Sequence, residues 1–117
     1  MMNSKDHMLI TKMIEYCNQI EQTVQRFGRD YTIYEADFIY RNACAMCIMQ
    51  IGELVGKLSS EITEKYSTIP WRGIKATRNI FAHAYGDVDL KVTWETIQKD
   101  IPALKQNCQF IIQTETE

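Results

Sequence analysis

The sequence predicts an all-α fold, an antiparallel up-and-down bundle of four to five helices. Three observations carry this. Apolar residues return at spacings of three and four through most of the 117-residue chain, as one face of a 3.6-residue helix requires. Glycine and proline number only five and two, so long segments run without a breaker. Nothing in the chain asks for a strand, and helices joined by short connections pack as a bundle. With 45% hydrophobic residues, the chain has enough apolar surface for one compact domain over 1–117 and too little for two.

The elements follow in order. Ile10, Met13, Cys17, Ile20, Val24 and Phe27 share one helical face, and Gly28 is placed to end that helix. A second long helix is expected from about Tyr34 to Leu58, on the repeat of Cys44, Ile48, Ile51, Val55 and Leu58. Phe38, Ala45, Met46 and Met49 widen its apolar surface, so it must be covered on more than one side, as a central helix or a subunit interface. A polar connection through Ser59, Ser60 and Glu61, with room for a short turn of helix before Tyr66, leads to Pro70, which suits the first turn of a third helix. Trp71, Ile74 and Phe81 give that helix its apolar face, and Gly86 its stop. The last helix carries Trp94, Ile97, Ile101, Leu104, Cys108 and Ile111, with Asp89 as N-cap. Pro102 should kink it near Lys99 and Asp100, with Asp100 capping the restart, and residues 113–117 should fray.

Composition narrows the function classes. A net charge of −2 argues against a protein that coats nucleic acid through a broad positive field, but leaves room for a local basic site. No apolar stretch reaches the roughly 18 residues of a spanning helix, and the N-terminus lacks a signal-peptide pattern, so a cytoplasmic protein without a membrane partner is expected. Cys17, Cys44, Cys47 and Cys108 lie inside apolar helical patterns, which suits reduced core residues. Cys44 and Cys47 form a C-x-x-C, yet no second pair and no nearby histidine completes a metal set, so neither metal nor cofactor is expected.

The candidate chemistry lies in RNIFAHAY. Arg78 precedes His83 by five residues and Tyr85 follows it by two. At about 100° per residue, Arg78 and Tyr85 are roughly 20° apart around a helix, but Arg78 and His83 roughly 140° apart. That pair can flank one groove if the last turn relaxes towards Gly86, or if a second subunit brings its own pair across a two-fold axis. Asn79, four residues before His83, can orient the imidazole. Arg72, Lys75 and Arg78 follow at spacing three as a basic stripe suited to RNA phosphates, with Arg72 and Lys75 as candidate contacts. Metal-free RNA cleavage needs a base for the 2′-OH, an acid for the leaving 5′-oxygen and a cation for the phosphorane charge. One subunit offers one good histidine beside the cation, and two would provide both proton-transfer roles. A structural reading competes: His83 as a cation at a helix C-terminus, Arg78 as a surface ion-pair partner, Arg72 and Lys75 as a solvated face, Tyr85 as an ordinary helix-end tyrosine.

The wider pattern resembles the HepT-type HEPN toxins over nearly the whole chain. Pro70, Trp71 and Arg72, then Arg78 with Asn79, His83 and Tyr85, then Val88, Asp89, Trp94, Asp100 and Pro102 match the family's C-terminal half. Arg41, Asn42, Ile51, Gly52 and Glu53 match its second helix. The chain departs from the family at Ala84, where many relatives place an acid, and at Ala76–Thr77, where a glycine often precedes the motif. The resemblance implies a HEPN-like bundle acting as a homodimeric, metal-independent endoribonuclease, the toxin of a toxin–antitoxin pair. Arg78 and His83 would be catalytic and Asn79 supporting. It further implies a minimal nucleotidyltransferase antitoxin, which would neutralise the toxin by masking or by adenylylation of Tyr85. The alternative from another class is a non-catalytic HEPN module that docks a nucleotidyltransferase and its nucleotide.

Overall fold

The structure is a computed structural model that describes residues 2–84, 86 and 89–116, and at 83 and 84 the backbone alone. Tyr85 and Val88, both named above, lie outside the described residues, as does the side chain of His83. Four long helices form the bundle: α1 (Ser4–Phe27), α3 (Phe38–Lys57), α5 (Trp71–Ala84) and α7 (Ile101–Glu115). Three short ones, α2 (Tyr31–Ala36), α4 (Ser60–Lys65) and α6 (Leu90–Glu95), lie in the connections. No strand occurs among the described residues.

Helix α3 is central, packed against α1 on one side and α5 on the other, while α7 lies on α1. The direction of each helix follows from its contacts. Cys47 of α3 meets Gln19 of α1, while Tyr40, earlier in α3, stacks on Phe27, later in α1. Similarly, Gly52 faces Arg78 and Gly56 faces Lys75, so α3 and α5 also run antiparallel. The expected up-and-down arrangement is therefore present. Its core holds Ile10, Met13, Cys17, Ile20, Cys44, Ile48, Ile51, Cys108 and Ile111, the positions that the three–four spacing selects. All four cysteines are buried there, and burial pushes the thiols of Cys17, Cys44 and Cys108 up to about 12. Such thiols stay protonated and act as small hydrophobes.

Helix ends follow local chemistry. Gly28 closes α1 at φ 110°, a conformation that side chains disfavour, and its N–H donates to the Val24 carbonyl at 2.8 Å. The helix expected from Tyr34 to Leu58 is in fact two. Asp37, in extended backbone, ends α2 and caps α3 by accepting from the N–H groups of Ile39 (2.9 Å) and Tyr40 (3.4 Å). A capping aspartate inside a continuous apolar pattern is invisible to periodicity. Arg41 then donates to the Tyr34 and Glu35 carbonyls, satisfying the end of α2.

One expectation near the C-terminus is also corrected. Asp100 makes no capping bond, because the chain stays right-handed helical through a π turn, Thr96–Asp100, with the Ile101 N–H donating to the Thr96 carbonyl. The wider turn absorbs what Pro102 imposes, a missing N–H and a ring that crowds the preceding turn. Helix α7 continues to Glu115, whose buried carboxylate accepts from Lys65 and from the Tyr66 hydroxyl, both at 2.6 Å. No described helix is long and apolar enough to cross a membrane.

Candidate functional site

Helix α5 begins where Trp71 is pinned. Its indole N–H donates to the Tyr66 carbonyl at 3.2 Å, and the Pro70 carbonyl accepts from Ile74 at 3.1 Å, which places Pro70 at the N-cap rather than inside the first turn. From this anchor α5 runs antiparallel to the second half of α3. Gly52 decides how closely. A Cβ there would stand 2.1 Å from Arg78 Cβ and 2.6 Å from its Cγ, so only glycine admits the Arg78 stem at this depth. One turn on, a Cβ at Gly56 would meet Lys75 Cε at 3.7 Å, an ordinary contact.

The guanidinium of Arg78 is held from two sides. Glu53 on α3 forms an ion pair with Nη2, and Asn79 Oδ1 accepts from Nη1 at 3.1 Å. Nε is buried and has no acceptor among the described residues. The side chain retains 29% of its exposure, so the fork lies at the protein surface but in a fixed orientation. Around it Gly52, Glu53, Gly56, Lys57, Lys75, Arg78 and Asn79 line a cavity of about 220 Å³. Three cations face one carboxylate, so a chain of net charge −2 carries a locally positive, anion-sized recess.

The structure thus brings together Arg78, Asn79 and Lys75 of the expected residues and adds Lys57, Gly56, Gly52 and Glu53 from α3. Arg72 is exposed near the start of α5 and does not line the cavity. Spacing three rotates each successive residue by about 60° backwards, so a stripe over two steps leaves the face on which it began. Lys57 was missed because its significance depends on α5 lying alongside. Gly52 and Gly56, four apart on one long helix, were the available signal of a close approach.

The backbone of α5 is regular helix through His83 and Ala84. Positions 78 and 83 therefore keep their separation of about 140° around the axis, and the relaxed last turn is not found within the described part of the helix. Among the described residues, no three His, Cys, Asp or Glu side chains converge as a metal site. His7 is exposed in the first turns of α1.

A family model described as "Ribonuclease HepT-like" matches residues 13–111. A "Putative RNase" of Caldanaerobacter subterraneus subsp. tengcongensis is 31% identical over 103 residues, covering 88% of this chain and 90% of that protein. A "Probable ribonuclease HepT" of Thermococcus cleftensis is 31% identical over 88 residues, 72% and 78% of the two chains. A "Gamma-glutamylcyclotransferase and putative RNase" of Methanocaldococcus jannaschii is 35% identical over 105 residues, 84% of this chain and 46% of that protein. The chain thus spans about half of the last relative and most of the other two. No solved structure matches. With the family's model covering both helices that build the Arg78 cavity, the chain belongs to the HepT-like ribonuclease family.

Proposed function

We propose that this chain is a metal-independent endoribonuclease, the toxin of a toxin–antitoxin pair, working as a homodimer with Arg78 and His83 as catalytic residues. The observation that carries this reading is the Arg78 guanidinium, fixed by Glu53 and Asn79 at the mouth of a cationic cavity. A surface ion-pair arginine needs neither a glycine cradle nor a recess. An arginine that receives a phosphate needs both orientation and space.

In this reading neutral His83 takes the 2′-OH proton as the oxygen attacks phosphorus. Arg78 balances the charge on the phosphorane, and a protonated His83 from the second subunit returns a proton to the 5′-oxygen as the P–O5′ bond breaks. The products are a 2′,3′-cyclic phosphate and a 5′-hydroxyl. Two subunits are needed because the helical register separates Arg78 from His83 within one subunit, and because acid and base must coexist. Exposed Met46 on α3 and Ile80 on α5, on the same two helices as the cavity, are available to such an interface. A minimal nucleotidyltransferase antitoxin neutralises the enzyme by masking or by adenylylating Tyr85. A phosphodiester placed there competes with RNA for Arg78.

Purified protein should cleave RNA in excess EDTA, with activity per subunit falling on dilution as dimers dissociate. Arg78→Ala should reduce kcat on the order of 10²–10³-fold and His83→Ala 10²–10⁴-fold, each with unchanged circular dichroism. Cleavage that persists in both variants would show that other residues carry the reaction.

A further inference from the structure

We propose that Lys57 and Lys75 form a second anion subsite, which takes the phosphodiester next to the scissile one on the RNA strand. This rests on the ribonuclease reading above and extends it from one phosphate to two. The cavity is longer than Arg78 alone would need: from Gly52 and Arg78 it continues one turn along both helices to Gly56, Lys57 and Lys75. Lys75 stands three residues before Arg78 on α5, and neighbours at that spacing are about 5–6 Å apart between Cβ atoms. The two cations therefore line the recess one helical turn apart.

The floor of the recess at this end is Gly56. A Cβ there would lie 3.7 Å from Lys75 Cε and 3.8 Å from Nζ, so the ammonium group sits over bare backbone. Lys57 lines the same recess from α3, and neither lysine has an acidic partner among the described residues. The contrast with Arg78 is informative. Glu53 orients that guanidinium, which must meet a developing charge in one geometry. Two unpaired ammonium groups act as point charges and suit a phosphate that is only held.

An all-2′-O-methyl hexaribonucleotide lacks the attacking hydroxyl and so reports binding without cleavage. Its affinity is measured by fluorescence anisotropy across a salt series for wild type, Lys57→Gln, Lys75→Gln and Lys12→Gln, the last a charge-matched control exposed on α1. Loss of either cavity lysine should weaken binding about three- to tenfold at low salt and reduce the salt slope by about 0.7, the value for one phosphate contact on a single strand. The control should change neither. If wild type cleaves RNA and binds the probe, but the cavity variants keep the wild-type slope or Lys12→Gln loses as much, the subsite is wrong and the ribonuclease reading stands. If wild type neither cleaves RNA nor binds the probe, the ribonuclease reading fails and the subsite with it.

Discussion

Gly52 and Gly56 show how two identical residues, one turn apart on one helix and facing the same neighbour, leave very different room for a methyl group. An alanine at Gly52 would drive its methyl to 2.1 Å from Arg78 Cβ, and neither the helix backbone nor the root of a side chain can yield that far. Gly52→Ala should therefore force α3 and α5 apart, cost about 1–3 kcal/mol of stability and displace the Arg78 fork. At Gly56 the same methyl meets only the flexible end of Lys75 at ordinary contact distance. There the better helix propensity of alanine prevails, and Gly56→Ala should stabilise the protein by up to about 1 kcal/mol. Urea denaturation of the two variants checks this pair. Equal effects of the same sign would contradict the α3–α5 packing described here.

Among the elements, α7 depends on a contact remote from the site. Its last turn is fastened to α4 through Glu115, which accepts from Lys65 and the Tyr66 hydroxyl. These hydrogen bonds favour the carboxylate and hold the Glu115 pKa below its ordinary value, and the same contact raises that of Lys65. A depressed acid contributes stability above its unfolded pKa and loses it as pH falls through the lower folded value. The raised lysine contributes below its unfolded pKa and loses as pH rises through the folded one. The clamp is therefore complete between the ordinary carboxylate and lysine ranges. Wild type should melt higher than Glu115→Gln at neutral pH, and the difference in Tm should vanish in strong acid. A difference independent of pH would mean that the carboxylate charge is not what fastens α7.

For the whole molecule, the helical register of α5 turns a question of mechanism into one of assembly. Regular helix through Ala84 keeps positions 78 and 83 on different faces, so the proposed chemistry requires two chains. The modification is proposed on Tyr85 because the motif tyrosine of the family that the sequence resembles stands at that position. Incubation with a nucleotidyltransferase partner and ATP should add adenylate mass to wild type and none to Tyr85→Phe, as read by intact mass spectrometry. An equal gain in both would place the modification on another residue.

Most of the fold was legible because burial imposes a period. The core of α1, α3 and α7 is the set of residues recurring at three and four, whereas an apolar surface too wide for one neighbour left α3 either central or at a subunit interface, and its packing against α1 and α5 decides for the central place. Arg78, Asn79 and Lys75 were legible as residue types on one helix, since local spacing determines which chemistries can share a short segment. Tertiary packing decided the rest. Asp37 splitting α2 from α3, Glu115 reaching α4, and Gly52, Glu53 and Lys57 meeting α5 all join residues distant in the chain or compete with a local pattern. Periodicity reports which face of a helix is apolar. It does not report which side chain of another helix will stand opposite, and the Arg78 cavity is made by that pairing.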